Sequence, residues 1–148
     1  MRTQTIPKTR RFQRGGGISG AALIVLLHLL VLPGFALMQS LTWIDWRLLV
    51  GGLLAVSLIT FLAYRSDKRR AEADEWRIPE STLHFAELIG GWPGAFLGQR
   101  AFRHKTAKVS YQIVFWLIVL IHQLVAIDFL LDWRFSRDLL YFLQNYGA

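Results

Sequence analysis

Residues 65–108 form one polar segment between apolar stretches, with the sequence RSDKRRAEADEWRIPESTLHFAELIGGWPGAFLGQRAFRHKTAK. This polar segment holds nine of the 17 basic residues and six of the 10 acidic residues. The stretches on both sides of it are apolar enough to enter lipid, so we expect them to hold the segment at one membrane surface. How this segment folds between the apolar stretches decides the topology of the protein.

The composition favours a membrane protein. Hydrophobic residues make up 53% of the chain, the mean hydropathy is +0.35, and the apolar residues lie in blocks. The sequence has no cysteine, which excludes disulfides, thiol catalysis and thiolate metal sites. A net charge of +7 indicates affinity for anionic partners, either phospholipid headgroups or nucleic acid, and lipid is the simpler partner for a membrane protein.

Three stretches have the length and apolar character of transmembrane helices, since about 20 apolar residues cross the hydrocarbon layer. They lie at about 18–38, 47–64 and 109–131. Residues 1–17 precede them as a basic cytoplasmic tail. The Pro33-Gly34 pair predicts a kink or an early end of the first helix, because proline has no backbone N–H to donate.

The polar segment begins with a charged helix over about 67–76, in which Lys68/Glu72 and Arg70/Asp74 are spaced i,i+4. Pro79 stops this helix, and a second one is predicted over 81–89. A turn then follows at Gly90, Gly91, Pro93 and Gly94, so residues 83–102 are apolar but interrupted in the middle.

The basic residues decide the topology, because lysine and arginine are retained on the cytoplasmic side. If residues 83–102 crossed the membrane, the four basic residues at 100–108 would lie outside. If residues 83–102 instead form a re-entrant or interfacial hairpin, 14 of the 17 basic residues lie on the cytoplasmic side. We therefore expect a cytoplasmic N-terminus and a periplasmic or extracellular C-terminus, with residues 132–148 as an interfacial amphipathic helix.

These features define the predicted fold class, an all-α integral membrane protein. It has three transmembrane helices, a cytoplasmic-side re-entrant or interfacial helical hairpin, and a C-terminal amphipathic helix. Residues 18–131 would form a single membrane domain that contains the polar segment and hairpin.

Several short motifs resemble a known family. Asp67-Lys68, the run at 77–80, Gly90-Gly91, Gly94-Ala95 and the run at 104–106 occur in the order and spacing of the membrane family called domain of unknown function 1294. The resemblance covers about 57–119 and implies a small bacterial inner-membrane protein without an established activity. Some family members look like fusions with an N-terminal cold-shock domain, which we do not expect in the fourteen residues before the first glycine run.

The basic run at 103–108 suits phosphate, since it combines fixed positive charge with an imidazole and a hydroxyl. Acidic residues of the polar segment could pair with it, and Glu87 in an apolar helix needs either a cation or a water-facing position. The alternative is a basic flank that anchors the last span. The candidate polar cluster comprises Asp67, Lys68, Arg77, Glu80, Glu87, Arg103, His104, Lys105, Thr106 and Lys108.

The sequence predicts no metal site and no cofactor. His84 and Glu87 are spaced i,i+3, but two ligands without a third do not define a metal site.

Three polar residues lie inside the predicted spans, namely His28, His122 and Gln123. His28 and His122 should reach similar depths, since each lies fourteen positions after a basic residue. They could pair with each other or share Gln123, or each could bond a carbonyl of its own helix.

Three function classes stay open. The first is a non-enzymatic membrane protein whose basic cytoplasmic face binds anionic lipid headgroups or a protein or nucleic-acid partner. The second is a small enzyme acting on a phospholipid or prenyl-type substrate, with His104 as acid or base. The third is a transporter or channel component, which would have to be a homo-oligomer because three spans are few for a pore.

Overall fold

The computed structural model describes residues 17–41 and 43–146, so the predicted basic tail falls almost wholly outside the described residues. Within those ranges the chain is helical and contains no strand. The α-helices are α1 (Gly20–Ser40), α2 (Trp46–Glu72), α3 (Glu80–Ala86), α4 (Trp92–Phe102), α5 (Val109–Leu130) and α6 (Arg134–Tyr146).

Three of these helices, α1, α2 and α5, are long and apolar enough to cross a membrane. They correspond to the three predicted spans. Pro33 lies inside α1 without ending it, and the helix continues seven residues further to Ser40. Of the two effects predicted for the Pro33-Gly34 pair, a kink or an early end, the early end does not occur.

Helix α2 is longer than the predicted second span, because the charged residues after position 64 continue the same helix to Glu72. Lys68 pairs with Glu72 at 3.1 Å, as the i,i+4 spacing suggested. The Arg70/Asp74 pair does not form, since the helix has ended and Asp74 takes a left-handed conformation with φ 54°. Arg70 donates instead to the carbonyl of Trp76.

Helices α3 and α4 form a hairpin, which we define as residues 80–102. They are joined by a kinked turn, Glu87–Gly91, in which Gly90 leaves helical geometry with φ 109°. The predicted helix over 81–89 thus ends as an α-helix at Ala86. Pro93 lies in the first turn of α4, where its missing N–H leaves no helical bond unmade.

The two ends of the hairpin meet. Lys105, just after α4, donates to Glu80 at the start of α3 over 3.2 Å. The tip of the hairpin, at Gly90, lies against the first half of α2. A Cβ added at Gly90 would lie 3.1 Å from the Leu53 side chain. Leu53 precedes Asp67 by fourteen residues, so the tip lies about 21 Å along α2 from the hairpin ends.

Small residues let α4 pack closely on α2. A Cβ added at Gly98 would lie 2.9 Å from Tyr64 Cβ, and one added at Gly94 would lie 2.7 Å from the carbonyl carbon of Ser57. The other main packing contact is between α1 and α5. The apolar core lies between these helices and consists of Ala22, Leu26, Tyr64, Leu83, Trp92, Ala95, Phe96, Tyr111, Phe115 and Val119.

Helix α6 follows a tight turn in which Asp132 and Trp133 both have positive φ. Asp128 caps the helix by accepting from the Phe135 backbone N–H at 2.9 Å and from the Ser136 hydroxyl. No residue of α6 is buried, so the rest of the protein leaves the apolar side chains of this helix uncovered.

Candidate functional site

Asp67 is fully buried in α2 and contacts three other residues of the polar segment. Its carboxylate accepts from His104 Nε2 at 2.7 Å and from the Ile78 backbone N–H at 2.9 Å. Lys105 Nζ lies 3.4 Å from the same carboxylate. One α2 side chain thus fixes both the segment before the hairpin and the segment after it.

Glu80 makes a second connection between the ends of the hairpin. Its carboxylate accepts from Lys108 at 2.7 Å and from Lys105 at 3.2 Å. The hydrogen bond from Lys108, supported by Lys105, holds the pKa of the Glu80 carboxyl below its usual range, although partial burial acts in the opposite direction. The stabilisation from this pairing is present above the pKa of the unfolded state and is lost as pH falls through the folded-state pKa.

The backbone after α4 is strained in a way that directs His104 and Lys105 towards Asp67. Arg103 has φ 46° and Lys105 has φ 61°, backbone values that residues other than glycine rarely adopt. The backbone N–H of His104 donates to the backbone carbonyl of Gln99 at 3.0 Å and closes the turn. Strain of this kind costs about 1 kcal/mol or more for each residue and is common at functional sites.

A cavity of about 590 Å³ opens beside these residues, and we call it the basic cavity. Arg77 lines it and forms no ion pair within the described chain. Trp76, which is 86% exposed, lies at the same cavity. The lining residues are Trp76, Arg77, Ile78, Pro79, Glu80, His104, Lys105 and Lys108.

A second cluster, the buried network, surrounds Glu87, which is fully buried. One oxygen of its carboxyl accepts from Tyr64 and, at 2.9 Å, from Tyr111. The other lies 2.7 Å from His84 Nδ1. Glu87 therefore connects α2, α3 and α5 by side-chain hydrogen bonds.

Two glutamines complete the buried network. Gln99 donates to the Tyr64 hydroxyl at 3.1 Å, and Gln112 donates to the Gln99 side chain at 2.7 Å. Gln112 also donates to the backbone carbonyl of Lys105 at 3.1 Å. Within the described residues every buried side-chain nitrogen or oxygen has a hydrogen-bond partner, as low-dielectric surroundings require.

Lys105 links the two clusters. Its ammonium group reaches Asp67 and Glu80 and lies 4.7 Å from the centre of the Tyr111 ring, close enough for a cation–π contact. Because its carbonyl accepts from Gln112, a displacement of Lys105 would affect both clusters.

The structure brings together half of the candidate polar cluster, namely Asp67, Glu80, His104, Lys105 and Lys108. Glu87 has no contact with a cation of the 103–108 run and belongs to the buried network. Lys68 pairs only with Glu72. Arg77 lines the cavity without bonding to the others, and Arg103 and Thr106 are exposed.

Sequence reasoning missed four residues of the buried network, Tyr64, Gln99, Tyr111 and Gln112. The two tyrosines looked like ordinary residues at the ends of spans. A signal was present nevertheless, because Gln99 and Gln112 lie in or beside apolar stretches, where a polar side chain needs a hydrogen-bond partner within the protein.

The two histidines of the predicted spans do not pair with each other. His28 Nδ1 lies 2.9 Å from the carbonyl of Ile24, and His122 Nδ1 lies 2.8 Å from that of Ile118. Each imidazole thus bonds a carbonyl of its own helix, which was the second of the two expected arrangements.

Gln123 instead compensates for Pro33. A proline at position 33 leaves the carbonyl of Leu29, four residues earlier, without its helical donor. Gln123 of α5 donates to that carbonyl at 2.8 Å. This bond explains why α1 continues through the proline, and it joins α1 to α5.

His, Asp and Glu side chains do not gather into a group of three or more that could hold a metal ion anywhere in 17–41 or 43–146. His84 with Glu87 and His104 with Asp67 are hydrogen-bonded pairs within the two clusters.

Comparison with known proteins gives one family match and one relative, and both are described by their names as having no known function. Residues 57–111 match the family described as "Protein of unknown function (DUF1294)", a range that includes the whole lining of the basic cavity. The chain is 37% identical over 60 residues to the "Uncharacterized protein YsdA" of Bacillus subtilis (strain 168), a match that covers 40% of this chain and 67% of the relative. No solved structure matches the chain. On these matches, the chain belongs to the DUF1294 family of proteins of unknown function.

Proposed function

We propose that this protein is a multi-pass protein of the bacterial inner membrane whose basic cavity binds the phosphate of an anionic phospholipid headgroup. In this proposal the hairpin re-enters the membrane from the cytoplasmic side. The observation that carries it is the meeting of the hairpin ends, through Glu80 and Lys105, at the end of the bundle where basic side chains gather.

The charges of the two ends support the orientation. The polar segment carries nine basic and six acidic residues. The opposite end has three basic residues, Arg47, Arg134 and Arg137, and four acidic ones, Asp45, Asp128, Asp132 and Asp138. Because positive residues favour the cytoplasmic side, the basic cavity would face the cytoplasm and α5 would run outward.

The lining of the basic cavity matches a phosphate group. The Arg77 guanidinium is exposed and has no carboxylate partner in the described chain, so it is available for a bidentate bond to phosphate oxygens. Lys108 is half exposed beside Glu80. Trp76 would lie at headgroup level, where an amphipathic ring is favoured.

The orientation predicts a periplasmic C-terminus. Alkaline phosphatase fused after residue 148 should be active, because this enzyme forms its disulfides only outside the cytoplasm. The same enzyme inserted between Asp74 and Glu75 should be inactive. If alkaline phosphatase after residue 148 were inactive and a cytoplasmic reporter after residue 148 were active, the hairpin would have to cross the membrane.

Replacing Arg77 with glutamine should weaken binding of anionic lipid. One basic residue at an anionic surface contributes about 1 kcal/mol, so we expect an affinity for phosphatidylglycerol about fivefold lower than that of the wild type. Binding can be measured as the rise in melting temperature on titrating phosphatidylglycerol into detergent-solubilised protein, with phosphatidylcholine as the neutral reference. Arg47→Gln, an exposed arginine at the opposite end, is the matched control and should change nothing.

Equal lipid affinities for the two arginine variants would contradict the proposed headgroup site.

The second candidate function is a lipid-modifying enzyme, which can be tested by incubating the protein with phosphatidylglycerol and identifying the extracted lipid by mass spectrometry. That alternative is favoured by His104, which lines the basic cavity and whose imidazole is oriented for proton transfer by its hydrogen bond to the buried Asp67. A lipid product that forms with the wild type and not with His104→Gln would establish it.

A further inference from the structure

A second cavity lies at the end of the bundle away from the basic cavity. It has a volume of about 470 Å³, and we call it the apolar cavity. The last half of α1, the first half of α2 and the last half of α5 form its walls, and the hairpin contributes Gly90, Trp92 and Pro93. The apolar cavity thus begins where the hairpin tip ends.

The lining of the apolar cavity excludes a charged ligand. Not one of its lining residues is charged. Apart from two tryptophans, its polar side chains are Ser40, Ser57 and His122. The Ser40 hydroxyl donates to Leu37, and His122 Nδ1 bonds Ile118, so these groups are largely satisfied within their own helices. Such a surface favours hydrocarbon over a headgroup or an ion.

The dimensions of the apolar cavity fit one hydrocarbon chain. On α1 its lining runs from Leu30 to Ser40, a rise of about 15 Å, which is half the thickness of the hydrocarbon layer. A volume of about 470 Å³ over that length gives a mean width of about 6 Å, which is enough for one extended hydrocarbon chain.

We propose that the apolar cavity holds one hydrocarbon chain of a membrane lipid from the leaflet opposite the basic cavity. This inference rests on the proposed insertion of the protein into the membrane. The bound chain would contact Trp92, Gly90 and Pro93, which are the hairpin residues that line the cavity.

Two tryptophans make the proposal testable. Trp92 is only 3% exposed but lines the apolar cavity, whereas Trp116 is 40% exposed on α5 and does not line it. Two single-tryptophan proteins, each with the other five tryptophans changed to phenylalanine, would be placed in bilayers of lipids brominated at mid-chain. Bromine quenches tryptophan fluorescence on contact. We expect quenching of Trp116 by the surrounding lipid and of Trp92 by the chain in the cavity.

Filling the cavity should separate the two signals. Ala36→Phe places a ring among the lining residues and should abolish the quenching of Trp92 while that of Trp116 persists. Val50→Phe fills the same space from α2 and serves as a second filling variant. Ala21→Phe, on the exposed surface of α1, is the matched control and should leave both signals unchanged.

Three results would overturn the proposal. Trp92 could stay unquenched while Trp116 is quenched, which would mean that no chain enters. Water-soluble iodide could quench Trp92, which would mean that the cavity is filled with water. Trp92 could also remain quenched in both filling variants, which would mean that lipid reaches it by another route. If bromine quenches neither tryptophan, the protein is not in the bilayer, and the proposed function itself fails.

Discussion

Replacing Gly94 with alanine should destabilise the protein by about 3 kcal/mol or more, because the hairpin would be forced away from α2. The added Cβ would lie 2.7 Å from the carbonyl carbon of Ser57 and closer still to its oxygen. A backbone carbonyl inside a helix cannot rotate away as the end of a flexible side chain can. The effect should appear as a lower melting temperature and as loss of the monodisperse peak in size-exclusion chromatography.

Gly52→Ala is the matched control for this prediction. Gly52 lies in α2, and a Cβ added there would meet no atom within 4 Å. Alanine is the better helix former by about 1 kcal/mol in water, so the control should be at least as stable as the wild type. If Gly94→Ala were as stable as Gly52→Ala, the close packing of α4 on α2 would be contradicted.

The three long helices could be predicted from sequence because a run of about 20 apolar residues, the length that crosses a hydrocarbon layer, is a continuous signal. Their ends were harder to predict. Helix α2 continues through charged residues to Glu72, and the apolar pattern carries no information about how far a helix extends into charged sequence. That α1 would not end early at Pro33 was not predictable for a different reason, since the donor to the free carbonyl of Leu29 is Gln123, which lies 94 residues after Leu29 in the sequence.

The candidate site was predictable only in part. The acidic and basic residues of the polar segment could be expected to meet, because opposite charges at a membrane surface need each other. Sequence could not show which residues pair, since the left-handed conformations of Arg103 and Lys105 decide where His104 points. The buried network was invisible for a similar reason, because Tyr64 and Tyr111 become partners of Glu87 only when the hairpin lies between α2 and α5.

Replacing Glu87 with leucine should cost about 4 kcal/mol, within the range for removing one member of a buried polar pair. Leucine fills a similar volume but leaves Tyr64, Tyr111 and His84 without their shared acceptor. Glutamine should cost less, about 2 kcal/mol, because its amide oxygen can still accept from both phenols and its NH₂ can donate to His84 in the other tautomer.

The order of these losses separates a hydrogen-bonding role for Glu87 from a purely steric one. Glu72 carries the same carboxylate on an exposed turn of α2, where it pairs only with Lys68. Because exposed pairs contribute little, Glu72→Leu and Glu72→Gln should each change stability by less than about 0.5 kcal/mol. Thermal unfolding followed by circular dichroism in one detergent would rank all four variants. Equal losses for Gln and Leu at position 87 would contradict the hydrogen-bonding role. If neither Glu87 variant were less stable than its Glu72 counterpart, the buried network would contribute nothing to the fold.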